Sequence, residues 1–274
     1  MLQELEMAEQ KPSVSTFRKM KREQKPIVML TAYDAPTAAL AVKCGVDLLL
    51  VGDSVGNTML GYSNTIPVTM EESLHHCRAV VRGTQNNAFV IGDMPFMSYH
   101  ASEESALLNA AKFLQDAGCD AVKMEGGFDV VPLVKRMTTA GIPVCAHIGL
   151  CPQQVKVQGG YRIAGRTEDA AERLMQEALA LEDAGAFMIV LECVTAPVAD
   201  KISKALSIPT IGIGSGAACD GQVQVVTDIL GLSGYIPKHA KRYANLAAVM
   251  EEAFTNYVED VRSKQFPTAE NAHQ

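Results

Sequence analysis

The chain has 274 residues and a formal net charge of −7, and it contains no apolar stretch of the roughly 18 residues that a membrane-spanning helix needs. The acidic balance argues against a nucleic-acid surface, and the N-terminus lacks the apolar segment of a secretory signal. Seven cysteines, an odd set without CxxC spacing and partly inside apolar runs, read as reduced packing residues of a cytoplasmic protein.

Residues 1–12 read as a polar, mobile tail. Residues 15–22 read as a short helix whose Arg18, Lys19, Lys21 and Arg22 form a solvated face. From Ile27 onward, short apolar runs alternate with helical spacing. Strands are expected at 27–31, 47–51, 88–91, 121–124, 143–146, 187–191 and 209–213. Helices are expected at 36–43, 70–82, 103–117, 130–140, 168–184, 197–206 and 223–230. An eighth strand is expected near Gly231–Tyr235. Residues 245–261 carry Leu246, Val249, Met250, Phe254, Tyr257 and Val258 at helical spacing, as a terminal helix packing on the barrel or on a neighbouring subunit would. Residues 265–274 read as a second mobile tail.

Strand–helix alternation implies a parallel sheet. A doubly wound sheet concentrates its site at one switch point. Here polar residues close nearly every strand, which points to a (β/α)8 TIM barrel of the α/β class, a fold of roughly 250 residues. The expectation is one catalytic domain over 13–264, with an N-terminal extension and a C-terminal helix.

Those polar strand ends are the functional signal. Asp53 and Asp93 each follow a glycine that ends an apolar run. Lys123 and Glu125 close Ala121-Val122, His147 closes Pro143–Ala146, and Glu192 closes Phe187–Leu191. Period-two alternation puts Lys123 and Glu125 on one side. The same parity leads from Val51 to Asp53, from Ile91 to Asp93 and from Val190 to Glu192, so that all face the barrel mouth.

Asp53, Asp93 and Glu125 form a hard oxygen set of the kind that suits Mg²⁺; a lone carboxylate at a strand end also serves as a helix cap or in a surface ion pair. Lys123 can pair with a carboxylate, with Glu125 two residues away as the default, orient an anion, or form a Schiff base. The acidic setting favours an electrostatic role over the covalent one. Glu192, after a strongly apolar strand, suits a proton-transferring group or a structural acceptor, and His147 a functional or a satisfied core histidine. Gly214-Ser215-Gly216 is a weak phosphate-loop signal with no Walker lysine. Gly159-Gly160-Tyr161 with Gly165-Arg166 reads as a lid over the mouth or as an ordinary long connection.

Several blocks in order carry a family resemblance. They include Thr31–Asp34, Val51-Gly52-Asp53-Ser54-Val55-Gly56, Ile66–Thr69 and Gly92-Asp93-Met94-Pro95-Phe96-Met97-Ser98-Tyr99. They continue with Val122–Gly127, His147-Ile148-Gly149-Leu150-Cys151-Pro152-Gln153, Gly159–Tyr161, Leu191–Val194 and Gly212–Gly214. Over residues 14–262 the sequence resembles the ketopantoate hydroxymethyltransferases. The resemblance implies transfer of a hydroxymethyl group from 5,10-methylenetetrahydrofolate to 3-methyl-2-oxobutanoate, giving 2-dehydropantoate in pantothenate biosynthesis. It further implies one Mg²⁺ per subunit among Asp53, Asp93 and Glu125, a homodecamer, and keto acid and folate as small-molecule partners, with no nucleic acid or membrane expected. The keto acid would be held by Ser54 and Lys123 together with Asp53, Asp93 and Tyr33. Glu192 would be the proton-transferring carboxylate, with Lys123 and His147 beside it. Two other readings compete: a related Mg²⁺ barrel that makes or breaks a bond in a 2-oxo acid, and a non-catalytic barrel that only binds keto acid or folate.

Overall fold

The structure, a computed structural model, describes residues 11–273. Eight parallel strands close into a barrel in chain order. They are β1 Ile27–Thr31, β2 Leu48–Val51, β3 Phe89–Asp93, β4 Ala121–Glu125, β5 Val144–Gly149, β6 Met188–Glu192, β7 Thr210–Ile213 and β8 Gly221–Gln224. The helices are α1 Val14–Arg22, α2 Ala35–Lys43, α3 Val55–Thr58, α4 Met70–Thr84, α5 Glu103–Gln115 and α6 Val131–Thr139. They continue with α7 Val155–Gln158, α8 Glu168–Asp183, α9 Ala196–Ala205, α10 Val226–Leu230 and α11 Leu246–Ser263. This is the (β/α)8 barrel that the alternation predicts.

Two apolar layers hold the barrel. Inside lie Ile27, Met29, Leu48, Leu50, Phe89, Ile91, Ala121, Cys145, Met188, Val190, Ile211 and Val223. Alternate residues such as Leu49, Val51, Val90, Val122, Ala146 and Leu191 pack outward against the helices. Helix α1 adds Phe17 and Met20 to the inner cluster, with the Phe17 and Phe89 rings edge to face at 5.2 Å. Burying such side chains contributes on the order of 2 kcal/mol each. At the mouth, helices start on side-chain caps. Asp34 accepts from the Thr37 N–H at 2.8 Å, and Thr69 and Glu72 form a reciprocal box on α4. Such a cap is worth about 1 kcal/mol and fixes where each loop above the site turns into its helix.

The structure corrects three sequence expectations. First, the eighth strand is Gly221–Gln224, not 231–235, and the helix expected from 223 begins at Val226. This strand is short and carries exposed Gln222 between buried Gly221 and Val223, so no apolar run marks it. It closes the barrel by pairing Gly221 with Ile27 of β1 and with Ile211 of β7. Second, Val51 faces the helices, and Leu48 and Leu50 face inward. Asp53 therefore does not reach the mouth by strand parity; β2 ends at Val51, and the chain turns through Gly52 toward α3 before Asp53 points in. Third, Lys21 of α1 is not a solvated residue: it pairs with Asp220 at 2.7 Å and donates to the Ser203 carbonyl at 2.8 Å.

The chain forms two compact units that divide after Val225. The first holds the barrel. In the second, Ser233 Oγ donates to Asp228 Oδ1 at 2.6 Å, and the Tyr243 N–H donates to the Ile229 carbonyl at 2.8 Å. Helix α11 carries exposed Val249, Phe254, Tyr257 and Val261. Residues 1–10 of the expected N-terminal tail lie outside the described residues; Lys11, within them, pairs with Asp120 at 2.7 Å. Among the described residues no helix is long and apolar enough to cross a membrane, and all seven cysteines are free.

Candidate active site

The carboxyl ends of adjacent strands bring six of the expected charged side chains together. On β3 and β4, Asp93 pairs in register with Lys123, and on β4 and β5, Glu125 pairs with His147. Lys123 Nζ lies 2.8 Å from Asp93 Oδ1 and 3.4 Å from His147 Nδ1. The ion pair expected with Glu125 does not form. Residues two apart on a strand are separated by two rises of about 3.3 Å, whereas a neighbouring strand lies about 4.8 Å away. His147 links two carboxylates. Its Nδ1 is 3.5 Å from Glu125 Oε2, and its Nε2 is 3.2 Å from Glu192 Oε2. The Asp53 N–H donates to Asp93 Oδ2 at 3.0 Å. Beside Asp53, the Tyr33 hydroxyl and Ser54 Oγ share a 2.8 Å hydrogen bond.

Burial sets the electrostatics. Asp53, Asp93, Lys123, Glu125 and His147 are all buried. Loss of solvent, then the Asp93 charge, raise the Asp53 carboxyl to about 7. Asp93 is raised mainly by burial, against the pull of Lys123. Burial would lower the Lys123 ammonium, but Asp93, Asp53 and Glu125 outweigh it and hold the group above its ordinary value. Such a lysine is a fixed positive charge, not an amine ready for Schiff-base chemistry. Burial and Lys123 likewise lower His147, and Glu125 and Glu192 overcome them and raise it to about 9. The two carboxylates thus favour the protonated form of His147 over the neutral imidazole.

Two residues were not singled out by the sequence. Gln153, on the 3-10 turn Pro152–Gln154 after β5, is buried among the carboxylates. Its backbone N–H donates to Glu125 Oε1 at 2.7 Å, and its side-chain amide donates to Asp53 Oδ2 and to the Met94 carbonyl, each at 3.0 Å. Tyr99 OH sits 3.0 Å from Gln153 Oε1 and 3.1 Å from the Glu125 carbonyl. Neither residue ends an apolar run, so only their places in the shared motifs mark them. Ser215, in the weak glycine-rich signal, is fully buried. Its hydroxyl donates to the Leu191 carbonyl at 2.7 Å and accepts from the Val194 N–H at 3.0 Å. It braces the backbone on either side of Glu192 instead of facing a phosphate.

The donor set fits a hydrated divalent cation. Asp93 Oδ1 and Glu125 Oε2 are buried, and each faces one cationic side chain, Lys123 Nζ at 2.8 Å and His147 Nδ1 at 3.5 Å, with no hydrogen bond from the backbone or from a neutral group. Among the described residues no group of three or more His, Cys, Asp or Glu side chains is arranged to hold a metal ion by itself. Mg²⁺ does not need one, because it keeps several waters and takes one or two carboxylates directly.

Comparison with known proteins assigns the family. The profile of the ketopantoate hydroxymethyltransferases matches residues 11–269. The 3-methyl-2-oxobutanoate hydroxymethyltransferase of Carboxydothermus hydrogenoformans is 52% identical over 256 residues, covering 93% of this chain and 92% of its own. That of Syntrophus aciditrophicus is 51% identical over 263 residues, 96% of either chain. Among solved structures, a phosphonopyruvate hydrolase bound to oxalate and Mg²⁺ aligns with TM-score 0.61 at 12% identity, over 94% of this chain and 92% of its own. A 2,3-dimethylmalate lyase of the PEP mutase/isocitrate lyase superfamily aligns with TM-score 0.61 at 16% identity, over 90% and 87%. These two likenesses are of fold. The sequence matches run through every strand of the barrel, and on them this chain belongs to the ketopantoate hydroxymethyltransferase family.

Proposed function

We propose that this chain moves a one-carbon unit from 5,10-methylenetetrahydrofolate to 3-methyl-2-oxobutanoate and releases 2-dehydropantoate and tetrahydrofolate. Family membership supplies the reaction. The observation that carries it to these residues is the run of Asp93, Lys123, His147 and Glu192 across four adjacent strand ends.

In the reaction, C3 of the keto acid loses its proton, and the electron pair left behind attacks the methylene carbon. Water breaks both of that carbon's bonds to folate nitrogens, its oxygen staying on the carbon as the future hydroxyl and its two hydrogens going to N5 and N10. The alkoxide left after the C–C bond forms takes up a proton equivalent to the one lost from C3. Glu192 takes the C3 proton. Its side chain is 18% exposed, against 1% for Asp93 and for Glu125, so it is the carboxylate a substrate can reach. His147 stands behind Glu192 and balances its charge. Lys123 offers a fixed positive charge where negative charge develops on the keto acid. The Tyr33–Ser54 pair beside Asp53 orients the substrate carboxylate. Asp53, Asp93 and Glu125 would hold Mg²⁺, which when bound supplies the positive charge that stabilises an enolate. Met59, Phe96, Met97 and Tyr161 are exposed on loops that follow β2, β3 and β5, and they offer apolar surface for the folate.

The same reading places the protein in the cytoplasm as a homodecamer, supported by its free cysteines and by the exposed apolar side chains of α11. Proton NMR of 3-methyl-2-oxobutanoate with the protein, 5,10-methylenetetrahydrofolate and Mg²⁺ tests the chemistry. A hydroxymethyl product that EDTA abolishes is expected. No product, with the keto acid still bound by folded protein, overturns the assignment in favour of other 2-oxo acid chemistry or of a binder.

A further inference from the structure

We infer that Gln153, oriented by Tyr99, is the positioning residue that presets the carboxylates for the divalent cation; this rests on the metal reading above. The Gln153 amide has a defined direction. Its nitrogen faces two acceptors, Asp53 Oδ2 and the Met94 carbonyl, each at 3.0 Å. Its oxygen faces the Tyr99 hydroxyl at 3.0 Å. Rotating the amide by half a turn would set its oxygen against a carboxylate and a carbonyl, so the hydrogen-bond network fixes one orientation.

The consequences fall on two carboxylates from different strands. The side chain holds one oxygen of Asp53, and the backbone N–H holds one oxygen of Glu125 at 2.7 Å. Each carboxylate thus has one oxygen committed to Gln153 and one left over. Glu125 Oε2 accepts nothing from the backbone or from a neutral side chain, its one neighbour being His147 Nδ1 at 3.5 Å. Gln153 is neutral, so it fixes these groups without competing with a cation for charge, as a lysine would. Pro152 at the start of the turn restricts the backbone that presents it. Partners that orient ligands in this way typically change metal affinity on the order of 10- to 100-fold when lost.

The test is Mn²⁺ binding to the full-length protein, read by electron paramagnetic resonance of the free ion, with thermal unfolding of the metal-free protein alongside. Gln153→Met keeps the volume and removes the amide, while the backbone N–H to Glu125 remains. Its Mn²⁺ dissociation constant is expected to rise at least about 10-fold, with the metal-free protein still folding cooperatively at a somewhat lower temperature, because Asp53 Oδ2 and the Met94 carbonyl lose their donor. Tyr99→Phe is expected to weaken Mn²⁺ binding less, and to add little in the Gln153→Met background, because it acts through the same amide. Wild-type affinity in Gln153→Met overturns the inference and leaves the metal reading standing. Should that variant not fold, wild-type affinity in Tyr99→Phe overturns it instead. Absence of Mn²⁺ binding by the wild type overturns the metal reading, and this inference with it.

Discussion

The Lys123 ammonium stands 2.8 Å from Asp93 Oδ1 on the neighbouring strand, both side chains being at most 5% exposed. A pair this deep is held by the register of β3 against β4, which sets Asp93 opposite Lys123. It does two jobs: it gives Asp93 a counter-charge when no metal is bound, and it keeps Lys123 charged at the mouth.

Asp93→Ala should lose both Mg²⁺ affinity and turnover. It should also destabilise the metal-free protein by roughly 3–5 kcal/mol, because it leaves the Lys123 charge buried and unpaired. Adding Lys123→Met to Asp93→Ala should recover much of the stability and none of the turnover. Chemical denaturation of the two variants measures the first effect, and the keto-acid NMR assay the second. Unchanged activity of Asp93→Ala in saturating keto acid would remove Asp93 from the metal set.

Glu192→Gln should separate binding from proton transfer. A positioned general base contributes on the order of 10²- to 10⁴-fold, and Gln keeps the shape while losing the basicity. Deuterium exchange at C3 of the keto acid should slow by that order, while calorimetry should show keto-acid affinity within a few-fold of wild type. Equal losses in rate and affinity would instead make Glu192 a substrate-holding group.

The fold was readable in the sequence wherever strands are apolar runs buried on both faces, as for Leu48–Val51 and Met188–Glu192. It was not readable at β8, where Gly221–Gln224 exposes Gln222 and hides its role in two ladders. Strand parity placed Lys123, Glu125 and Glu192 because each sits within a strand whose alternation persists. It gave the wrong reason for Asp53, which follows the last ladder residue of β2. Gln153 and Tyr99 escaped because they belong to loops, where neither periodicity nor a run end marks a side chain, and where only the folded path brings them to Asp53 and Glu125.

The metal-free protein should lose stability as pH rises. His147 is raised in the fold to about 9, above its ordinary 6.5, so its contribution is fully present below about 6.5 and disappears as pH climbs through 9. Asp53 is raised to about 7 from 3.8. The folded state therefore holds a proton there that the unfolded state releases, and stability falls as pH rises from about 4 through 7. Both groups act in the same direction. Thermal unfolding in EDTA should show the melting temperature falling from pH 5 to pH 9.5. His147→Gln should flatten the upper part of that curve. Mg²⁺ should raise the melting temperature more at pH 8 than at pH 5, because it binds the ionised form of Asp53. A melting temperature independent of pH would contradict these raised values.

Gly149→Ala tests how tightly the position of Glu192 is set. Gly149 ends β5 at φ 101°, opposite Glu192 in the β5–β6 ladder, and a Cβ there would strike the Glu192 carbonyl oxygen. The substitution therefore imposes two separable effects, backbone strain at positive φ and displacement of the end of β6. Gly141→Ala supplies the comparison: Gly141 also has positive φ, at 88°, but a Cβ there meets nothing within 4 Å. Both variants should lose at least about 1 kcal/mol of stability from the strain. Gly149→Ala alone should lose turnover, since misplacing a reacting group by about 1 Å can cost on the order of 100-fold. Unfolding curves and turnover measured on both proteins decide the matter. Equal turnover in the two variants would mean that the end of β6 yields without moving its carboxylate, and that Glu192 is held by its side-chain partner His147 rather than by the backbone beneath it.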